Sequence, residues 1–263
     1  MRNAEQATTT LGVSLKLYLG NEDTFAWSER VADVARSHPA VLAGDVRLFI
    51  LPSLPAAAGV LERVDADTVA VGAQDVDAVD RGAYTGAVSG ADLRELGLEL
   101  VEIGHAERRA IFGETDEIVR DKFAASVRHG LIPVLCIGEP DEGSVEDAAA
   151  ECIRQLDATL GDTDATGVEV ILAYEPVWAI GKANPAPAEH VVQVVRALRA
   201  AAQQDARLGA VTVIYGGSAQ IGTLTALGED VDGLFLGRFA HNADDLRRMI
   251  VEASSRAPER HAR

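Results

Sequence analysis

Eight short runs rich in β-branched and other apolar residues recur along the chain, separated by longer stretches in which apolar residues return every three or four positions. The runs cover 11–19, 46–52, 68–74, 98–104, 131–138, 168–175, 211–217 and 231–237. The stretches at 24–38, 117–130, 145–160 and 188–205 carry the i, i+3, i+4, i+7 pattern of amphipathic helices. Helices after the second, third and seventh runs read as shorter. Alternation of this kind favours parallel βαβ units over hairpins, because parallel neighbours need a crossover between them. Eight units in about 250 residues is the size of a closed (β/α)8 barrel, but an open doubly wound sheet has the same local rhythm, and periodicity leaves both open.

No Pro/Gly/Ser-rich linker and no short repeat divides the 263 residues. The expected organisation is one α/β domain over 11–253, a polar N-terminal extension over 1–10 and a solvated C-terminal tail over 254–263. A hydrophobic content of 48% supports a large core, which excludes a disordered or fibrous chain. The net charge of -17 argues against nucleic acid or an anionic membrane as a general partner. An anionic small molecule would then need local donors. The two cysteines, Cys136 and Cys152, form no CxxC pair and fit a reducing compartment as buried thiols. The first ten residues lack an apolar core, and no stretch approaches the roughly 18 apolar residues of a membrane span. The expectation is a soluble cytoplasmic protein.

In a barrel, chemistry belongs at the carboxyl ends of the strands. Lys16 falls within the first run, His105 follows the fourth and Glu175 closes the sixth. Taken singly, a snorkelling lysine, a satisfied loop histidine and an ion-paired glutamate explain them equally well. Together they are the residue types that moving a carbonyl to its neighbouring carbon requires: a carboxylate for the α-proton, a donor to polarise the carbonyl, and a fixed cation. The segment PVWAIGKA after Glu175 is apolar and contains Gly181, as a water-excluding lid would. Gly216, Gly217 and Ser218 after the seventh run and Gly237 after the eighth offer backbone donors to a phosphate. Among the common motifs, HExxH, Walker A and GxGxxG are missing and the six histidines are scattered, so neither metal nor cofactor is expected.

The segments GAQDV (72–76), GAYTG (82–86), IGHAERR (103–109), FGETDE (112–117), VLCIGE (134–139), YEPVWAIG (174–181), YGGSA (215–219) and DGLFLG (232–237) resemble the triosephosphate isomerase family over nearly the whole chain. The resemblance implies a single TIM barrel working without a cofactor on a small sugar phosphate. It carries over Glu175 as base, His105 as a neutral electrophile and Lys16 as cation, which are the family's roles and not a deduction from spacing. It likewise implies Glu107 near the histidine and lysine, Gly181 in the lid, and Ser218 and Gly237 at phosphate. It also implies a homodimer in which the loop holding Tyr84 and Thr85 meets the partner.

Four departures stand out. The family's Asn-x-Lys is Ser14-Leu15-Lys16, the serine after the histidine is Ala106, the lid ends Lys182-Ala183-Asn184, and Arg238 replaces a second glycine. Ser14 is shorter than asparagine and should open space beside the reacting carbons. That space suits one added hydroxymethyl group, and the favoured reaction is therefore L-erythrulose 1-phosphate to D-erythrulose 4-phosphate, which paralogues resembling this family carry out. Interconversion of the triose phosphates is the alternative, with a non-catalytic phosphosugar sensor a third. A Glu175→Asp change separates the last, since an enzyme loses turnover and a sensor keeps its response.

Overall fold

The computed structural model describes residues 9–182 and 185–256, and within them all eight runs form strands: β1 (Thr9–Ser14), β2 (Val46–Leu51), β3 (Val69–Ala73), β4 (Leu100–Ile103), β5 (Ile132–Ile137), β6 (Val168–Tyr174), β7 (Leu208–Tyr215) and β8 (Gly233–Leu236). The helices are α1 (Asn21–Ser37), α2 (Pro39–Leu42), α3 (Leu54–Leu61), α4 (Gly90–Leu96), α5 (Ala106–Phe112), α6 (Asp116–Arg128), α7 (Val145–Leu160), α8 (Ala188–Gln204), α9 (Thr223–Leu227) and α10 (Ala243–Ser254). Residues 1–8 of the expected extension, 257–263 of the expected tail, and Ala183 and Asn184 at the end of the expected lid lie outside the described residues.

Each strand runs parallel to its neighbours in sequence order, and β8 pairs back onto β1, so the sheet closes. The open doubly wound alternative is thereby excluded. Closure leaves no unpaired edge, and it places every strand's carboxyl end on one rim.

Two apolar layers follow from the alternation of side chains along a strand. Phe49, Leu51, Leu100, Val134, Cys136, Ile171, Ala173, Ile214 and Phe235 fill the barrel interior. Their neighbours Leu48, Ile50, Val101, Ile103, Leu135 and Leu172 face the helices. In α1, Thr24, Trp27, Ser28, Val31, Ala32 and Ala35 are buried, one stripe at helical spacing. Each fully buried Val, Leu or Ile contributes roughly 1.5–3 kcal/mol. Gly12 is glycine for a steric reason: a methyl group there would collide with the Phe49 ring that occupies the barrel axis.

Polar residues fix the helix starts. Thr115 accepts the Ile118 N–H at the start of α6, Ser144 accepts the Asp147 N–H for α7, and Asn242 accepts the Asp244 N–H for α10. Gly113, in the left-handed region at φ 72°, ends α5, so the FGETDE segment reads as a helix stop followed by a helix start.

Two limits differ from the sequence expectation. The first strand occupies 9–14 and not 11–19, because the chain leaves the ladder after Ser14, and Lys16 therefore lies beyond the strand. At the other end α10 runs to Ser254, and Arg256 donates to the Gly228 and Val231 carbonyls, which ties the chain to the approach to β8.

Candidate active site

Lys16 enters the rim from a turn in which its own φ is +48°, a conformation that L-residues hold only under constraint. Gln74, on the loop after β3, supplies the constraint by donating from Nε2 to both the Lys16 and Leu51 carbonyls. The Lys16 ammonium donates to Glu107 Oε1 at 2.7 Å. Burial alone would lower its pKa, but that bond and the charges of Glu175, Glu107 and Glu102 outweigh burial and raise it, so Lys16 stays cationic.

His105 is the residue before α5, and its Nδ1 accepts the Glu107 N–H at 3.0 Å. That bond leaves Nε2 as the protonated nitrogen of a neutral ring. Burial, followed by the Lys16 charge, pushes the imidazole down to about 4, which keeps it neutral at physiological pH. Nε2 lies 3.4 Å from Glu175 Oε2.

Glu175 follows β6 directly, and its N–H still bonds the Ile137 carbonyl, so the strand ladder fixes its backbone. Its carboxyl is buried, and Oε2 has no hydrogen-bond partner among the described residues. Burial, then the nearby Glu102, raise it to about 8. Gly216 makes room for it, since a Cβ there would fall 2.5 Å from Glu175 Oε1.

These three side chains line one cavity of about 520 Å³ with Ser14, Glu107, Gly181, Ser218, Gly237 and Arg238. The structure thus brings together nearly every site residue expected from sequence, with two differences. The Gly216 N–H is bonded to the Tyr174 carbonyl and so is committed to the sheet, and that glycine serves Glu175 and not an anion. Gly217 does not line the cavity. Ser218, itself at φ +44°, donates its hydroxyl to the Ala179 carbonyl and joins the loop after β7 to the segment after Glu175. Arg238 stands with its guanidinium carbon 5.5 Å from the Tyr18 ring centroid at the cavity wall, where Lys182 adds a further cation.

The segment after Glu175 is less exposed than its composition suggests. Trp178 donates its indole N–H to Glu139 Oε1 at 2.7 Å, the Tyr174 hydroxyl donates to the same oxygen, and Val177 N–H bonds the Glu139 carbonyl. Gly181, at φ +68°, follows this anchored turn.

Sequence reasoning missed three residues. Gln74 sits inside a quoted segment without an evident task, and Tyr18 follows the displaced Lys16. Glu102 was hidden in an apolar run, although period two places it on the interior face with Leu100. It also gives Ser14 a partner: the serine lines the cavity and donates its hydroxyl to Glu102 Oε2 at 2.9 Å.

A buried carboxylate with a free oxygen, facing a neutral N–H donor beside a fixed ammonium at the rim of a closed (β/α)8 barrel, supplies the groups of an isomerase that works by proton transfer. The family model described as triosephosphate isomerase matches residues 9–253. The chain belongs to the triosephosphate isomerase family. It is 47% identical over 247 residues to an L-erythrulose-1-phosphate isomerase of Pectobacterium atrosepticum, covering 93% of this chain and 95% of that protein. It is 40% identical over 254 residues to the enzyme of the same name from Rhizobium etli, covering 93% and 92%. A triosephosphate isomerase of Mycobacteroides abscessus is 39% identical over 234 residues, covering 85% and 89%.

Proposed function

We propose that the chain interconverts L-erythrulose 1-phosphate and D-erythrulose 4-phosphate through an enediol. The observation that carries this reading is the buried, unpartnered Oε2 of Glu175 facing the N–H of a neutral His105 at 3.4 Å. Glu175 takes the proton from the third carbon, while His105 Nε2–H polarises the carbonyl on the second. The electron pair of the broken C–H bond forms the enediol double bond, His105 passes the proton of the hydroxyl on the third carbon to the oxygen on the second, and Glu175 returns the abstracted proton to the second carbon, leaving the carbonyl on the third. Lys16 stabilises negative charge on the oxygens. Ser218, Gly237 and Arg238, with Lys182, hold the phosphate, and the segment ending at Gly181 covers it.

The names of the Pectobacterium and Rhizobium relatives support the four-carbon substrate. The test is kcat/KM of the purified protein on L-erythrulose 1-phosphate and dihydroxyacetone phosphate under one set of conditions. A large preference for the four-carbon ketose is expected, and a preference for the triose would return the chain to the second reading, a triosephosphate isomerase. That reading draws on the 39% identity to the Mycobacteroides abscessus protein.

The same reading makes the protein a cytoplasmic homodimer. In support, Leu17, Tyr18, Tyr84, Ile111 and Phe112 are exposed, and they follow β1, β3 and β4 on the rim that carries the site. Tyr84 and Thr85 would then meet the partner. Both cysteines are buried and free, as suits a reducing compartment.

A further inference from the structure

Glu102 is only 3% exposed and projects into a barrel interior otherwise filled by apolar side chains and Cys136. Its direct contacts are modest for a buried carboxyl: the Ser14 hydroxyl at 2.9 Å on Oε2 and the Cys136 thiol at 3.8 Å on Oε1. The ammonium of Lys16, within electrostatic range, is hydrogen-bonded to Glu107 instead. Placing a carboxyl in an apolar layer costs stability. Here its charge also makes Glu175 harder to ionise. The chemistry proposed for Glu175 and His105 uses neither Glu102 nor Ser14, yet both line the cavity directly.

Their position in the cavity follows from the barrel. The loops after β7 and β8, with Ser218, Gly237 and Arg238, take the phosphate end in the function proposed above, on which this inference rests. Reacting carbons lie between Glu175 after β6 and His105 after β4. The unphosphorylated end of the substrate is then directed at the interior faces of β4 and β1, where Glu102 and Ser14 stand. We propose that Glu102, with Ser14 beside it, is the specificity-determining group of the site, its carboxyl accepting the hydroxyl of the terminal CH2OH of the four-carbon ketose phosphate. A carboxyl offers an acceptor oxygen in either protonation state. A triose phosphate lacks this group and leaves the acceptor unanswered, which is the arrangement that discriminates most strongly between substrates.

The experiment is a cycle between substrate and protein. Wild-type protein and Glu102→Val are assayed on L-erythrulose 1-phosphate and on its 4-deoxy analogue, with dihydroxyacetone phosphate as a third substrate. Removing the hydroxyl should lower wild-type kcat/KM on the order of tenfold to a hundredfold, and should cost the variant little. The ratio of kcat/KM on L-erythrulose 1-phosphate to that on the triose should fall in the variant. An equal deoxy penalty in both proteins, or a parallel fall on all three substrates, overturns the role of Glu102 while leaving the four-carbon reading intact. A wild-type protein that prefers the triose overturns that reading, and this inference with it. Should the valine variant not fold, Glu102→Met, of similar length and without an acceptor oxygen, serves the same cycle, with a lost deoxy penalty expected and an unchanged one overturning the proposal.

Discussion

Gly216 has no room for a side chain because the Glu175 carboxyl occupies the place a Cβ would take. Gly216→Ala should displace Glu175 and lower kcat at least tenfold while leaving the melting temperature near that of the wild type, as steady-state kinetics and calorimetry would register. Glu175→Asp, which withdraws the carboxyl by one methylene, should cost about a hundredfold in kcat with KM little altered. Glu175 accepts a proton only when ionised, and its pKa of about 8 sits above that of an ordinary carboxyl, so kcat/KM should rise with pH across about 6 to 9. Glu102, raised to about 7 chiefly by burial, titrates alongside it, so the rise belongs to the pair. His105, at about 4, stays neutral throughout and adds no limb there. For stability, the raised folded-state pKa of Glu102 means a contribution that is full below the ordinary value of 4.5 and lost as pH climbs through about 7. Urea titrations should therefore show Glu102→Gln gaining about 3 kcal/mol on the wild type between those two pH values. Lys16, His105 and Glu175 were legible in the sequence because charged residues at strand ends break an apolar pattern. Glu102 was not, because a glutamate in the run 98–104, which also holds Glu99, looks like an exposed strand position until closure of the barrel buries that face.

At the scale of elements, the strands and the long helices could be read from period alone, and the helix limits fell within a few residues of the amphipathic stretches. The end of β1 could not, because its cause is a side chain 58 residues away: Gln74 holds the Lys16 turn in a left-handed conformation that nothing local requires. Gln74→Ala should relax that turn and lower kcat/KM, and the conservative Gln74→Asn should fail to restore it because the shorter amide cannot span both carbonyls. A second long-range device joins α6 to the loop after β3 and the end of α5. Lys122 bonds Asp75 at 2.6 Å and Glu114 at 2.5 Å, while Arg108 bonds the same two carboxyls. Removing the buried ammonium leaves Glu114, itself almost wholly buried, with less compensation. Lys122→Ala should destabilise the fold by about 3–5 kcal/mol, seen as a lower denaturant midpoint.

For the whole molecule, closure of the sheet is what local rhythm could not decide, since a barrel and an open sheet share their strand–helix units and differ only in whether the last strand meets the first. The exposed apolar side chains on the rim predict association: sedimentation equilibrium should give twice the chain mass, and Tyr84→Lys should shift the equilibrium toward the monomer. The chain has two tryptophans, and the fold separates their surroundings. Trp27 is buried in α1 with its indole N–H on the Ala240 carbonyl, whereas Trp178 donates to the Glu139 carboxyl two residues before Ile180, which lines the cavity. In a Trp27→Phe protein, the remaining indole is an intrinsic fluorophore bonded to a carboxyl, so the closure proposed for this segment over a phosphate compound would become an optical signal whose rate can be followed by stopped flow without any attached label.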